Sequence, residues 1–313
     1  MAYVQLHFLG TGAGMPSKER NTSALMVKLL DEVGEMWLFD CGEATQHQIL
    51  HTSLKPRKVT KIFITHLHGD HIFGLPGFLS SRSFQGGDEP LTIFGPQGLQ
   101  QWVEQTFALS KTHLTYPLQF VEVHEGVIYE DEHFTVSASE LRHVVPCFGY
   151  RIEQKDLPGE LLMEKAQALG VPKGPLLGQL KSGKDIVLED GTIVHAQDVV
   201  APPKKGFTLT ILGDTKYCEE AILLANGADI VIHEATFDGT TTDLAASYGH
   251  STNLEAAKVA QQAGANYLLL NHLSARFLPH DLPLLLADAQ EIFPQTYLTS
   301  DQSVFTWHNN KLS

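Results

Sequence analysis

Ile64-Thr65-His66-Leu67-His68-Gly69-Asp70-His71 closes the apolar run Lys61-Ile62-Phe63-Ile64, and the reading of this stretch decides the rest of the chain. The run reads as the end of a buried strand, because it is short, apolar and rich in β-branched and aromatic residues. Three imidazoles and a carboxylate then follow between His66 and His71. Extended backbone sends alternate side chains to one face, so His66, His68 and Asp70 can converge while His71 turns to a second locus. Neutral imidazole and carboxylate are ligand types suited to zinc. A lone His after a strand is ordinarily a surface residue, but this spacing beside a buried strand reads as a metal site.

One cluster offers too few ligands for two metals, and the same grammar recurs along the chain. Phe134-Thr135-Val136-Ser137 leads to Glu140-Leu141-Arg142-His143, the run Thr208-Leu209-Thr210-Ile211-Leu212-Gly213 leads to Asp214, and Tyr267-Leu268-Leu269-Leu270-Asn271 leads to His272. Strand ends gathered on one edge of a sandwich would build a two-metal site, with Asp214 the natural bridging carboxylate. The spacing gives the ligand identities but does not divide them between two metals. Asp40, at the exit of Met36–Phe39, is either an orienting partner that accepts a ligand imidazole's other N–H or a plain turn residue before Cys41-Gly42.

Length and composition set outer limits. A chain of 313 residues with 43% hydrophobic content can bury a large core, as one large domain or two. No basic start, apolar run and small-residue cleavage site combine near the N-terminus, and no apolar run approaches ~18 residues, so secretion and membrane spanning are not expected. Cys41, Cys147 and Cys218 are odd in number and lack C-x-x-C spacing, which suits reduced thiols in a cytoplasmic protein. A net charge of −14 is not the average profile of an RNA-binding protein. Any attraction to phosphate must therefore be local, and bound metal would add positive charge that the formal count omits.

From Met1 to about Arg151 the pattern is strand-rich, with strands expected at Tyr3–Leu9, Ala24–Leu29, Met36–Phe39 and Leu91–Phe94 and helices near Ala44–His51 and Gly98–Leu109. Residues 156–205 break that rhythm: Pro158-Gly159, Pro172, Gly174-Pro175, Gly178 and Pro202-Pro203 punctuate them, with one helical piece near Leu161–Leu169. Their glycines and prolines argue against regular packing. Strand–helix alternation resumes from Thr208 to Trp307. Within the inserted segment, Lys173, Lys181 and Lys184 form a stretch without an acid, and Lys204-Lys205 follow; these lysines are either a phosphate-binding patch or a solvated linker.

Gly10-x-Gly12-x-Gly14 after the first strand, with Asp31 about twenty residues on, invites a dinucleotide-binding reading. Context excludes it, because Met15-Pro16-Ser17-Lys18 reads as a turn into a loop where that fingerprint needs a helix. Lys18, Arg20 and Asn21 instead suit a phosphate backbone, or are ordinary loop polar groups. Thr252 with Glu255 three residues on, ahead of an alanine-rich run, is a capping box opening a helix. His250, Ser251 and Thr252 thus sit at a helix N-terminus, where free N–H groups favour phosphate. Glu234, at the exit of Asp229–Ile232, is either a buried structural carboxylate or a partner for such a group.

With these motifs in hand, the chain resembles the metallo-β-lactamase superfamily, and within it the ribonuclease Z branch in its short bacterial form. The resemblance covers nearly the whole chain. It is carried by Gly10–Asn21, Asp40-Cys41-Gly42-Glu43, His66–His71, His143, Gly213-Asp214-Thr215, His233-Glu234-Ala235-Thr236, His250-Ser251-Thr252 and His272. H-x-H-x-D-H alone specifies only the superfamily; the P-x-K-x-R-N loop, His-Glu-Ala-Thr and His-Ser-Thr specify the branch.

The resemblance implies a four-layer αββα sandwich with a flexible arm that clamps tRNA, spanning residues 1–313 and interrupted by the arm at 156–205. It implies two Zn2+ per chain, His66, His68, His143 and Asp214 on one, and Asp70, His71, His272 and the shared Asp214 on the other. It further implies Asp70 as proton acceptor, His250 as the acid that protonates the leaving ribose oxygen, Glu234 as its orienter, precursor tRNA as substrate and a homodimer. The expected activity is removal of the 3′ trailer after the discriminator nucleotide, leaving a 3′-hydroxyl on the tRNA and a 5′-phosphate on the trailer. Two other readings compete. A two-zinc hydrolase of the same fold acting on a small ester or thioester would have no use for Pro16–Asn21, His250 or the arm, and a non-catalytic tRNA-binding module would be expected to have lost ligands.

Overall fold

The computed structural model describes residues 3–29 and 34–313; Asp31 lies outside them. Two sheets face each other across the core. The eight-stranded sheet runs in the order Lys311–Leu312, Val304–His308, Tyr3–Gly10, Ala24–Leu29, Glu35–Phe39, Val59–Phe63, Leu91–Gly95, Leu118–Glu122. The seven-stranded sheet runs Thr296–Leu298, Tyr267–Asn271, Ile230–Glu234, Thr208–Ile211, Phe148–Gln154, Phe134–Glu140, Gly126–Glu130. Each is antiparallel on one side and parallel on the other.

Alternation explains the layers, since residues of opposite parity face opposite sides of a strand. Phe8, Trp37, Phe39, Phe63 and Phe94 of the first sheet meet Phe134, Tyr150, Leu209 and Ile232 of the second. On the outer face of the first sheet, Leu9, Met26, Leu38 and Ile62 pack under Ile49, Phe78, Leu79 and Val103 of three helices. On the outer face of the second, Val231, Leu268 and Leu270 lie under Ala221, Ala257, Ala260, Leu285 and Ala289. This is the four-layer αββα sandwich.

Phe39, Phe63 and Phe94 stand opposite one another on three parallel strands. Their rings stack at 4.7 Å, within 8° and 10° of coplanar. Each buried ring contributes roughly 1.5–3 kcal/mol of transfer free energy. The stack also pins register, because a one-residue slip would turn all three rings out of the core. The residues just beyond it, Asp40 and Thr65, are thereby set side by side.

The expected elements are present with small shifts. Strands run Tyr3–Gly10, Ala24–Leu29, Glu35–Phe39 and Leu91–Gly95, and helices Thr45–Ile49, Leu99–Ser110 and Met163–Ala168. The inserted segment departs from expectation. It adds helices Pro175–Lys181 and Ala196–Val199 and a hairpin of Ile186–Val187 with Ile193–Val194. Ala166, Val171, Leu180, Ile186, Val194 and Val199 bury one another in a cluster of their own. The glycines and prolines punctuate that packing and do not prevent it. Among the described residues no helix is long and apolar enough to cross a membrane, and Cys41, Cys147 and Cys218 are buried, free thiols.

The segment leaves Phe148–Gln154 and returns into Thr208–Ile211, two antiparallel neighbours paired as far as Glu153 opposite Thr208. Gln154 N donates to Phe207 O at 2.9 Å, and Leu157 and Lys204 exchange both backbone bonds at 2.8 and 2.9 Å. The insertion is thus a continuation of a hairpin ladder, and its ends are already adjacent. Replacing residues 158–203 with a short Asn-Gly turn should therefore leave a cooperatively melting core, read by circular dichroism. A chain that melts without a cooperative transition would show that the segment is needed for the core.

Candidate metal centre

Parallel strands expose their C-terminal ends together, and the site is assembled there. Val59–Phe63 delivers His66–His71, Glu35–Phe39 delivers Asp40, Thr208–Ile211 delivers Asp214, Ile230–Glu234 ends on Glu234, and Tyr267–Asn271 delivers His272. His143 arrives from the turn between Phe134–Glu140 and Phe148–Gln154. In open α/β sheets this edge is where ligands bind. Asp40 and His272 both sit at φ 55, in the left-handed region that non-glycine residues adopt at a cost of about 1–2 kcal/mol. Two such turns at one site mark a local geometry imposed by the surrounding structure.

The candidate ligands converge as two groups, His66, His68, His143 and Asp214, and Asp70, His71 and His272, and a third grouping brings His250 together with Asp214 and His272. His66 Nε2 and His143 Nε2 lie 3.0 and 3.2 Å from His68 Nδ1. His272 Nε2 lies 3.2 Å from His71 Nε2 and 3.3 Å from Asp70 Oδ2. One oxygen, Asp214 Oδ2, sits between the groups, 3.6 Å from His66 Nε2 and 3.5 Å from both His71 Nε2 and His272 Nε2.

This donor set fits zinc. Tetrahedral coordination at ~2.0–2.1 Å places neighbouring ligand atoms about 3.3–3.4 Å apart, a spacing that the observed separations of 3.0 to 3.6 Å bracket. Electrostatics agree. Burial alone would protonate Asp214, but His272, His71 and His66 hold its carboxyl well below the usual carboxylate range. Burial likewise disfavours charge on His71, yet Asp214 and Asp40 outweigh it and raise that imidazole. Burial and the His71 charge hold His66 neutral. Acids kept ionised among imidazoles in a buried cluster favour a cation at their centre.

The outer faces of the ligands are held as well. Asp40 accepts from His71 Nδ1 at 2.7 Å, which resolves its two sequence readings toward the orienting partner. Gly249 O accepts from His143 Nδ1 at 2.7 Å. Gly249 has φ +77, and a Cβ there would lie 2.9 Å from that nitrogen, so only glycine allows the approach. Gly14 N donates to Asp70 Oδ2 at 2.7 Å. Gly10 and Gly12 serve close backbone approach, with no helix following; a Cβ on Gly10 would meet Thr22 O at 1.7 Å, whereas Gly14 has open space around it and a left-handed φ of +72.

Beside the ligands, a cavity of about 410 Å³ is lined by Asp70, Phe237, Tyr248, His250, His272 and Arg276, among others. His250 Nδ1 lies 2.9 Å from Glu234 Oε1. Burial opposes charge on this imidazole, but Glu234 acts by charge and hydrogen bond to lift it to about 9. Glu234 also accepts from Thr215 N at 2.8 Å, so the same buried carboxylate ties the Asp214 loop and pairs with His250.

Other expected contacts are spent elsewhere. Arg20 Nη1 donates to Thr11 Oγ1 at 2.6 Å and Thr299 O at 2.9 Å, and Asn21 Nδ2 donates to Glu43 O at 2.6 Å. Both anchor their own loop, and only Lys18 of the three is exposed. Ser251 Oγ donates to Thr215 O at 2.6 Å. The capping box at Thr252 is present, and it takes up two N–H groups expected for phosphate, with Thr252 N donating to Glu255 Oε2 and Glu255 N to Thr252 Oγ1, while Asn253 N donates to Phe237 O. Lys173, Lys181 and Lys184 are exposed in the inserted segment and do not line the cavity. The sequence reading missed Thr65, Thr236, Gly14, Gly249 and Arg276. Of these, only the Gly-x-Gly spacing carried a local signal.

Comparison with known proteins follows this geometry. Residues 4–156 match the family model described as "Anti-Pycsar protein Apyc1". The chain is 54% identical to "Ribonuclease Z" of Geobacillus kaustophilus over 303 residues, 97% of this chain and 99% of that one. Among solved structures it is similar to human tRNase Z, short form, with a TM-score of 0.69, 31% identity and coverage of 96% of this chain and 98% of that one. It shares its fold with the metallo-β-lactamase fold protein YhfI of Bacillus subtilis, at TM-score 0.67, 22% identity and coverage of 97% and 100%.

The position of Asp214 Oδ2 between both groups yields a test. Asp214→Ala should lose more bound metal than Ala at any single His of the cluster, because it strips a donor from each group and leaves two cations less screened. Metal content by inductively coupled plasma mass spectrometry reads the result. Retention of two equivalents by Asp214→Ala would contradict the bridging role.

Proposed function

Since this chain belongs to the ribonuclease Z family, we propose that its imidazole–carboxylate cluster holds two zinc ions and that His250 and Asp70 move the protons of precursor-tRNA cleavage. The chain is an endonuclease of tRNA 3′ processing. His66, His68, His143 and Asp214 would hold one ion, and Asp70, His71, His272 and the shared Asp214 the other. Bound as a pair, zinc lowers the pKa of water and stabilises charge on a phosphoryl group.

The residues supply the rest. Gly14 N holds Asp70 Oδ2, so the carboxylate is positioned to accept the proton of the attacking water. Glu234 fixes His250 through Nδ1, which leaves Nε2 for the cavity. From there the imidazolium gives its proton to the departing ribose 3′ oxygen. The P–O3′ bond breaks as the water oxygen bonds to phosphorus, giving a tRNA 3′-hydroxyl and a trailer 5′-phosphate. The observation that carries this reading is the Glu234–His250 pair, a raised imidazole on the cavity wall directly beside the metal cluster. A small-ester hydrolase with a good leaving group would not need it.

Lys18, exposed in the loop that follows Gly14, and Lys173, Lys181 and Lys184 on the arm are the proposed phosphate contacts; Arg20, Asn21, Ser251 and Thr252 support the site as scaffolding. The arm springs from the far end of Phe148–Gln154. At ~3.3 Å per residue that is roughly 20 Å from the strand end nearest the metal cluster. Contacts there reach a folded RNA body and not the cleaved bond. In the same reading the chain works in the cytoplasm as a homodimer.

His250→Ala should cut kcat on precursor tRNA by ~10²–10⁴, the usual worth of general acid catalysis, with zinc content and tRNA affinity nearly unchanged. A nitrophenyl phosphodiester, whose leaving group needs little protonation, should suffer far less. Equal losses on both substrates would assign His250 a structural role.

Excision of the arm should leave hydrolysis of that small diester intact while raising KM for precursor tRNA and flattening its dependence on salt, because fewer phosphates are neutralised. An unchanged KM and salt slope would remove the arm from substrate binding.

A further inference from the structure

Two threonines that the mechanism does not use occupy matching positions on opposite sides of the cluster. On one side, Asp40 Oδ2 accepts from His71 Nδ1 at 2.7 Å. The same carboxylate receives Thr65 Oγ1 at 2.9 Å and Thr65 N at 2.8 Å, and Thr65 Oγ1 lies 3.0 Å from His66 Nδ1. On the other side, Glu234 Oε1 pairs with His250 Nδ1 at 2.9 Å. Its second oxygen receives Thr236 Oγ1 at 2.5 Å, and Thr236 Oγ1 lies 2.9 Å from His272 Nδ1. Each carboxylate thus reaches one imidazole directly and a second through a threonine hydroxyl.

Proton bookkeeping fixes the direction of both chains. A hydroxyl has one hydrogen to give, and an ionised carboxylate only accepts. The hydrogen of Thr65 therefore goes to Asp40, and Oγ1 accepts from His66 Nδ1–H. Thr236 has a competing acceptor in His272 O at 3.1 Å, but the shorter bond to a charged acceptor is the stronger. Its hydrogen goes to Glu234, and Oγ1 accepts from His272 Nδ1–H. In both cases Nε2 is left with its lone pair aimed into the cluster, where His66 Nε2 and His272 Nε2 stand 3.6 and 3.5 Å from Asp214 Oδ2. Thr65 and Thr236 are both buried, so water does not readily replace either hydroxyl. The other neighbour of His66 Nδ1 is the weak donor Cys147 Sγ at 3.6 Å.

We infer that Thr65 and Thr236 are positioning residues that set tautomer and ring angle of one ligand in each metal group, so that Asp40 governs both groups from one side and Glu234 ties a ligand to the proton donor His250 from the other. The inference rests on the reading of the two groups as zinc sites.

The test is zinc affinity measured by competition with a chromophoric chelator on wild type, Thr65→Val, Thr236→Val and the corresponding Ser variants, with the melting temperature of each metal-free chain alongside. Loss of an outer partner of a metal-bound imidazole typically weakens binding 10–100-fold. Each Val variant should therefore bind one of its two zinc equivalents about 10–100-fold more weakly, and the double variant both. The Ser variants, which keep the hydroxyl, should stay within about twofold of wild type. Thr65→Ala and Thr236→Ala carry the same expectation where a Val variant does not fold. Val or Ala variants that hold both equivalents at wild-type affinity overturn the inference, as do Ser variants that lose as much as Val. A wild-type chain that binds no zinc overturns instead the reading on which it rests.

Discussion

A carboxylate with no access to water must find positive charge or be neutralised, since burying an unpaired ion costs several kcal/mol. Asp214 is 3% exposed, and its Oδ2 faces imidazoles that come from both sheets. His66 and His71 belong to the first sheet's edge, and His272 to the second's. The sandwich can close at this edge only if the two sets of strand ends meet around that oxygen. Register must therefore be right in both sheets simultaneously, and the stacked rings of Phe39, Phe63 and Phe94 provide it on one side. On the other, Ile211, Ile232 and Leu269 pair in register across three parallel strands. Packing thus sets the position of the charges, and the charges make the packed arrangement one that favours a cation.

Most of this was legible in the sequence because the relevant signals are local. H-x-H-x-D-H converges through strand-end geometry alone, and an apolar run ending in His or Asp marks the other exits. The division of ligands between the two groups was not legible from spacing, since it depends on which strands are neighbours. Thr65 and Thr236 gave no signal, because a threonine at a strand end reads as an ordinary β-former. Arg20 and Asn21 show how charge can be read without direction. Their residue types suit phosphate, yet Thr11, Thr299 and Glu43 claim both side chains. The capping box at Thr252 was evident from its spacing, but the box that stabilises the helix also takes up two of the donors, Thr252 N and Glu255 N, that an anion would have used.

The inserted segment misled for a different reason. Glycine and proline density was read as resistance to packing, whereas Val171, Leu180, Ile186, Val194 and Val199 are spaced widely enough to look incidental in sequence and still meet in space. A cluster this small can persist because its stem is not built from scratch. Leu157 and Lys204 continue a ladder already formed by Glu153 and Thr208, so the entropy of closing the loop is largely met by the core.

That attachment also reconciles an acidic chain with a polyanionic substrate. At −14 overall, the field of the whole molecule does not favour RNA, and selectivity has to come from where the few positive groups stand. Metal charge would concentrate at the strand ends, Lys18 is exposed in the loop that follows Gly14, and the arm that carries the other lysines springs from the opposite end of the strand pair, its base roughly 20 Å away by strand rise. A short phosphodiester can satisfy only the first of these. On the proposed reading a folded RNA long enough to span both would gain from each, and general repulsion would penalise ligands that do not. On that reading the distance from the cluster to the base of the arm, fixed by the length of one antiparallel strand pair, would itself be a measure of substrate size.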